Sequence, residues 1–141
     1  MTFFKRILAA ALLALGVLAT QAPTLAGPND PLFVNLTSDE PHRAQMALVF
    51  GANQLKRGHP LTVFFNDRAV VIVSKGNAAK FADHQKMVAE LSAAGATLIV
   101  CPMCSKHYGV AEADLLPGTK FGTPELTGQQ LFLDNTKAMS W

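Results

Sequence analysis

Residues 97–109 read TLIVCPMCSKHYG. TLIV is a short apolar run, the mark of a strand covered on both faces. It passes without a break into Cys101. Pro102 follows, and proline is favoured at the first position of a helix, where its missing N–H costs nothing. The stretch therefore reads as a strand ending at Val100, a helix cap at Cys101 and a short helix beyond it. A strand that feeds directly into a helix belongs to a strand–helix–strand alternation and a mostly parallel sheet.

The flanking sequence repeats this pattern. LFVNL (32–36) and LTVFF (61–65) are two further apolar runs of strand length. Between them, TSDEPH opens a helix, with Thr37 or Ser38 as the expected cap and Pro41 in its first turn. Ala44, Ala47, Leu48, Gly51 and Leu55 keep helical spacing, and Gly58 stops the helix. Met46, Val49 and Phe50 widen the apolar stripe beyond what one sheet face needs. AVVIV (69–73) is a β-branched run, read either as a hairpin partner of the preceding strand or as a short piece at the sheet edge. A second helix is expected after Asn77, which can cap it, with Phe81, Val88 and Leu91 on one face and Gly95 at its end. The tail is less regular: SKHYGVAEADLLPGTKFG (105–122) reads as beginning as a helix and ending at Pro117-Gly118. TPELTGQQLFL reads as a short helix capped by Thr123 with Pro124 at its first position, and KAMSW (137–141) as a last strand. The class is α/β, with helices on both faces of the sheet. Functional groups in such sheets gather at the C-terminal ends of the strands, where Cys101 stands.

The N-terminus has a different character. Lys5 and Arg6 precede an apolar run from Ile7 to Ala19, and a polar patch then ends in Thr24-Leu25-Ala26. This is the three-part pattern of a secretory signal peptide, with cleavage after Ala26. The run is shorter than the roughly 20 residues a membrane span requires. The expectation is a cleavable signal at 1–26, a single domain at 27–141, a periplasmic location and no membrane span after cleavage. The whole chain carries a net charge of +2, but without Lys5 and Arg6 acidic and basic residues balance at ten each. No basic stripe or aromatic-basic interleaving points to nucleic acid.

The chain has two cysteines, Cys101 and Cys104. At a helix N-terminus the Cys101 thiolate forms more easily than in a free cysteine. Residues three apart across a first turn can form a disulfide. His107 lies one turn beyond Cys104 on roughly the same face, as a nitrogen ligand or, when protonated, as a group that favours a thiolate. Met103 adds a soft thioether. The spacing differs from the C-x-x-C-H of haem attachment, and a four-ligand zinc site would need ligands from elsewhere. The alternative is that both cysteines merely pack, as buried cysteines often do. His42, Asn35, Thr37 and Ser38, and Asn66, Asp67 and Arg68, fall at the same rim of the sheet, where capping and turn roles already account for them.

With this order of elements, with TLIVC opening a helix and with Gly109-Val110 eight residues after Cys101, the chain resembles the DsrE/DsrF-like family, which includes the TusD-type sulfur-relay subunits. CPMCSKHYGV followed by DLLPG is similar to a subgroup with a second cysteine. The resemblance implies a three-layer α/β/α fold with about five strands over residues 31–141, assembled as a homotrimer or homohexamer. It implies a persulfide-carrying role for Cys101, with Cys104 as resolving thiol and His107 as modulator. The partners would be a sulfur donor or acceptor, or a thiol reductase. The relay members are cytoplasmic, whereas this chain carries an export pattern. Two other functions stay open: a soft-metal site for Cu(I), and a non-catalytic oligomeric binding module. No other cofactor is expected.

Overall fold

The computed structural model describes residues 27–141, so the expected signal segment lies outside the described residues. Five strands form one all-parallel sheet: β1 (Leu32–Leu36), β2 (Leu61–Phe65), β3 (Thr97–Val100), β4 (Thr119–Phe121) and β5 (Lys137–Ser140). Their spatial order is β4-β3-β2-β1-β5. The α-helices are α1 (Pro41–Lys56), α2 (Ala78–Ala93), α3 (Pro102–Tyr108) and α4 (Pro124–Leu131).

Alternation along the strands divides the core in two. Leu32, Val34, Leu36, Leu61, Val63, Phe65, Leu98 and Val100 belong to the main cluster, together with Ala44, Ala47 and Leu48 of α1 and Phe81, Val88 and Leu91 of α2. The opposite face is smaller. There Phe33 meets Phe64 with ring centroids 6.2 Å apart, and Thr62 donates to Gln130 of α4 at 2.9 Å. Helices on both faces make the three-layer α/β/α arrangement the sequence implied. No helix among the described residues is long and apolar enough to cross a membrane.

The chain moves from β1 through β4 in one direction, then returns to place β5 on the far side of β1. The switch point of the sheet therefore falls between β1 and β5. Parallel register sets Phe65 beside Val100. The backbone N–H of Cys101 then donates to the Phe65 carbonyl at 2.9 Å, so the residues after β2 stand next to the residues after β3.

Three expectations change. Residues 69–73 are neither a hairpin strand nor a sheet edge. Asp67–Val71 forms a 3-10 helix, and Ala69, Val70, Ile72 and Val73 are fully buried. Burying each Val or Ile contributes about 1.5–3 kcal/mol. That exceeds a β-propensity scale spanning only about 1 kcal/mol. Side chains meet the backbone carbonyls that a sheet would have satisfied. Asn77 donates to Val71 O at 2.9 Å, and Gln85 donates to Ile72 O at 3.0 Å and Ser74 O at 2.8 Å. Asn77 is thereby drawn away from capping α2. Finally, Glu40 caps α1 instead of Thr37 or Ser38, its carboxylate accepting the N–H groups of His42 at 3.1 Å and Arg43 at 2.7 Å. Thr37 is held by the sheet, its N–H donating to Trp141 O at 2.8 Å.

Candidate functional site

Cys101 is the N-cap of α3, and Pro102 is its first residue. The backbone bends there because proline favours an extended residue before it, and Cys101 has φ −67° and ψ 114°. This turns the Cys101 sulfur over the helix start, where it accepts the backbone N–H of Cys104 at 3.2 Å. Cys101 and Cys104 pair as a disulfide with Cα atoms 5.3 Å apart, inside the ordinary range for such bonds. Both residues are half-buried. Gly109, at φ 71°, ends α3 in the left-handed conformation that glycine adopts without a steric cost.

A line of polar side chains runs along the C-terminal edge of the sheet towards this pair. Asn35 at the end of β1 donates to Ser140 of β5 at 3.3 Å. Asn66, immediately after β2, donates to Asn35 Oδ1 at 3.4 Å. Asn66 Oδ1 accepts the N–H of Asp67 at 2.9 Å and stands 3.1 Å from Cys104 Sγ. With the pair oxidised this last approach is a sulfur–oxygen contact. In the dithiol form the same distance suits an S–H donor.

Asp67 sits at φ 46°, a region that few residues other than glycine enter and that Asp tolerates better than most. It accepts the phenol of Tyr108 at 2.7 Å, which ties α3 to the 3-10 turn. That hydrogen bond, with some desolvation, raises the Tyr108 phenol above its usual range. Behind it, Arg68 and Lys80 reach Asp39 at 2.9 and 3.1 Å. Partial burial would raise the Asp39 carboxyl, but the two cations outweigh it and hold the group below the usual carboxylate range.

Cys101 and Cys104 are thus brought together, while the other proposed groups are spread out. His107 is exposed on α3, its ring edge-on to Tyr108 with centroids 4.7 Å apart. No hydrogen bond joins it to either sulfur among the described residues. Met103 is 81% exposed. His42 is exposed at the start of α1. His59 contacts Asp30 O at 2.8 Å, away from the site, and His84 is buried with Nε2 2.8 Å from Pro41 O. Among the described residues, no group of three or more His, Cys, Asp or Glu side chains is arranged to hold a metal ion. Tyr108 received no role from the sequence, and Asn66 only that of a turn residue at the rim. The signal for Asn66 was present: a polar residue directly after the strand that neighbours β3, at the same edge as Cys101.

An all-parallel sheet with a cysteine capping the helix after its third strand defines a class of thiol-bearing α/β domains. The chain belongs to the DsrE/DsrF-like family, whose model matches residues 32–133. Membership supports a sulfur-relay or thiol-related role in general terms. Two solved structures share the fold. The crystal structure of the ychN protein from E. coli is 16% identical with a TM-score of 0.62, covering 80% of this chain and 99% of its own. The conserved protein of unknown function BT1422 from Bacteroides thetaiotaomicron is 19% identical with a TM-score of 0.57, covering 79% of this chain and 95% of its own. No curated protein matches the sequence.

Proposed function

We propose that this chain is an exported thiol protein that accepts sulfur, or exchanges disulfides, at Cys101, with Cys104 as the resolving thiol. The observation that carries this reading is the position of Cys101: a strand-end helix cap, holding a backbone N–H at 3.2 Å and a second sulfur in contact. An N–H directed at the sulfur favours the thiolate, which is the nucleophile in both chemistries.

The steps balance as follows. The Cys101 thiolate attacks the outer sulfur of a donor persulfide, the donor thiolate leaves, and Cys101 becomes a persulfide. The Cys104 thiol then attacks the Cys101 sulfur and expels the outer sulfur, its proton leaving with it as hydrogen sulfide. The Cys101–Cys104 disulfide remains and is reopened by a dithiol partner. His107, one turn further on, acts as a modulator through its charge. Export to the periplasm, as part of this reading, is supported by the basic, apolar and small-residue pattern of residues 1–26. Assembly as a homotrimer or homohexamer is supported by the exposure of Met46, Val49 and Met139 on α1 and the edge strand β5.

The test is mass spectrometry of the protein isolated from its native compartment without reductant and alkylated at once. A disulfide or a persulfide on Cys101 is the expected result. Stoichiometric copper on reduced cysteines would replace the reading with a Cu(I) site, since thiolates favour that ion.

A further inference from the structure

The two sulfurs have partners of opposite kind. Cys101 Sγ faces a donor, the Cys104 N–H at 3.2 Å. Cys104 Sγ faces an acceptor, Asn66 Oδ1 at 3.1 Å. The atom that meets Cys104 is fixed by its other bond. The same oxygen receives the backbone N–H of Asp67 at 2.9 Å, and a backbone N–H needs an acceptor. The Asn66 amide therefore cannot flip and present its nitrogen, which is directed at Asn35 Oδ1 instead.

A hydrogen bond donated to a sulfur stabilises its ionised form, and an acceptor oxygen set against a sulfur stabilises the protonated form. We propose that Asn66 is a positioning residue that keeps the proton of the reduced pair on Cys104 and leaves Cys101 as the thiolate. This deepens the proposed function, on which it rests, by naming the group that decides which cysteine attacks first. It also holds Cys104 in reserve, as a thiol, until Cys101 has reacted.

The charged and titratable groups on the elements packed here are Asp67 and Arg68 on the turn, and Lys106, His107 and Tyr108 on α3. Asp67 is engaged by Tyr108 and Arg68 by Asp39. Lys106 and His107 are exposed. All five are unchanged in variants at position 66, so a difference between those variants isolates the amide.

The test uses the reduced full-length protein, pulsed with iodoacetamide across a pH series, with labelling of each cysteine read by mass spectrometry. In the wild type, Cys101 is expected to reach half-maximal labelling at lower pH than Cys104. In Asn66→Ala the Cys104 profile should move to lower pH, with its labelling rate near neutrality rising about fivefold, the effect of losing one hydrogen bond. Asn66→Ser should do the same, since its shorter hydroxyl keeps a capping oxygen for the turn but falls short of the sulfur. This second variant carries the test if the alanine protein fails to fold. Asn66→Asp keeps the acceptor oxygen and should preserve the order of labelling. The proposal is overturned if Cys104 labels at lower pH than Cys101 in the wild type, or if the Cys104 profile stays in place in the alanine and serine variants. No sulfur donor is present, so a flat Asn66 series would leave sulfur acceptance at Cys101 standing. Failure of sulfur acceptance would likewise leave this order of labelling intact.

Discussion

The N–H of Cys104 donates to the sulfur of Cys101 at 3.2 Å, so one side chain both caps α3 and carries the reactive atom. Serine can replace it as a cap but not as a nucleophile. Under reducing conditions, Cys101→Ser is therefore expected to melt close to the wild type, whereas Cys101→Ala should lose about 1 kcal/mol. Both should lose all labelling by sulfur donors. Thermal unfolding and donor labelling, measured on the same samples, separate the two roles. Equal stability of the serine and alanine variants would contradict the capping role.

Tyr108 is the sole tyrosine of the chain, so its ionisation can be followed without interference. Its hydrogen bond to Asp67 favours the neutral phenol. Ultraviolet titration should place it above the ordinary value near 10. Asp67→Ala should return it to that value. A titration unaffected by Asp67→Ala would mean that α3 is not tied to the turn through this contact.

Asp39 has the opposite sign. Its folded-state value lies below the unfolded one, so its ion pairs with Arg68 and Lys80 contribute stability above the ordinary carboxylate range. That contribution is lost as pH falls through the folded-state value. Both cations are more than half exposed, so the effect is small, about 0–1 kcal/mol. The melting temperature of Asp39→Asn should lie slightly below the wild type at neutral pH, and the difference should close in acid. A difference that grows on acidification would contradict the assignment.

The 3-10 turn, anchored by buried Ala69 and Val70, follows directly on Asn66 and begins with Asp67. Ile72 is fully buried in its continuation. Ile72→Ala should destabilise the fold by about 2–5 kcal/mol in denaturant titrations. A loss below 1 kcal/mol would show that the segment is not part of the core.

This turn also marks where the sequence stopped being legible. LFVNL, LTVFF and TLIV are strands because each is apolar, of strand length and followed by a break, and those properties travel with the residues. AVVIV has the same composition but meets Asn77 and Gln85, side chains that replace the sheet as partners for its carbonyls. Only distance in three dimensions reveals them. β4 was missed for another reason. Thr119–Phe121 has three residues and no buried side chain, so its pairing rests on backbone hydrogen bonds that leave no trace in composition.

At the site, the C-x-x-C spacing and Pro102 were enough to find Cys101 as a cap and Cys104 beside it. Asn66 was visible as a turn residue, and that role is correct, since its side chain accepts from Asp67. Its second contact, to a sulfur 38 positions further along the chain, depends on the β2–β3 register and is not encoded locally. The Tyr108–Asp67 bond spans 41 positions and depends on the same register.

The most direct test of sulfur acceptance uses reduced Cys104→Ser protein exposed to a small-molecule persulfide donor, then alkylated and examined by mass spectrometry. Without the resolving thiol, the account predicts that Cys101 gains the mass of one sulfur atom and keeps it, and that the wild type treated in parallel ends as the Cys101–Cys104 disulfide with sulfide released. A Cys101 that stays an unmodified thiol in the variant, under conditions where a small-molecule thiol takes up sulfur, would contradict it.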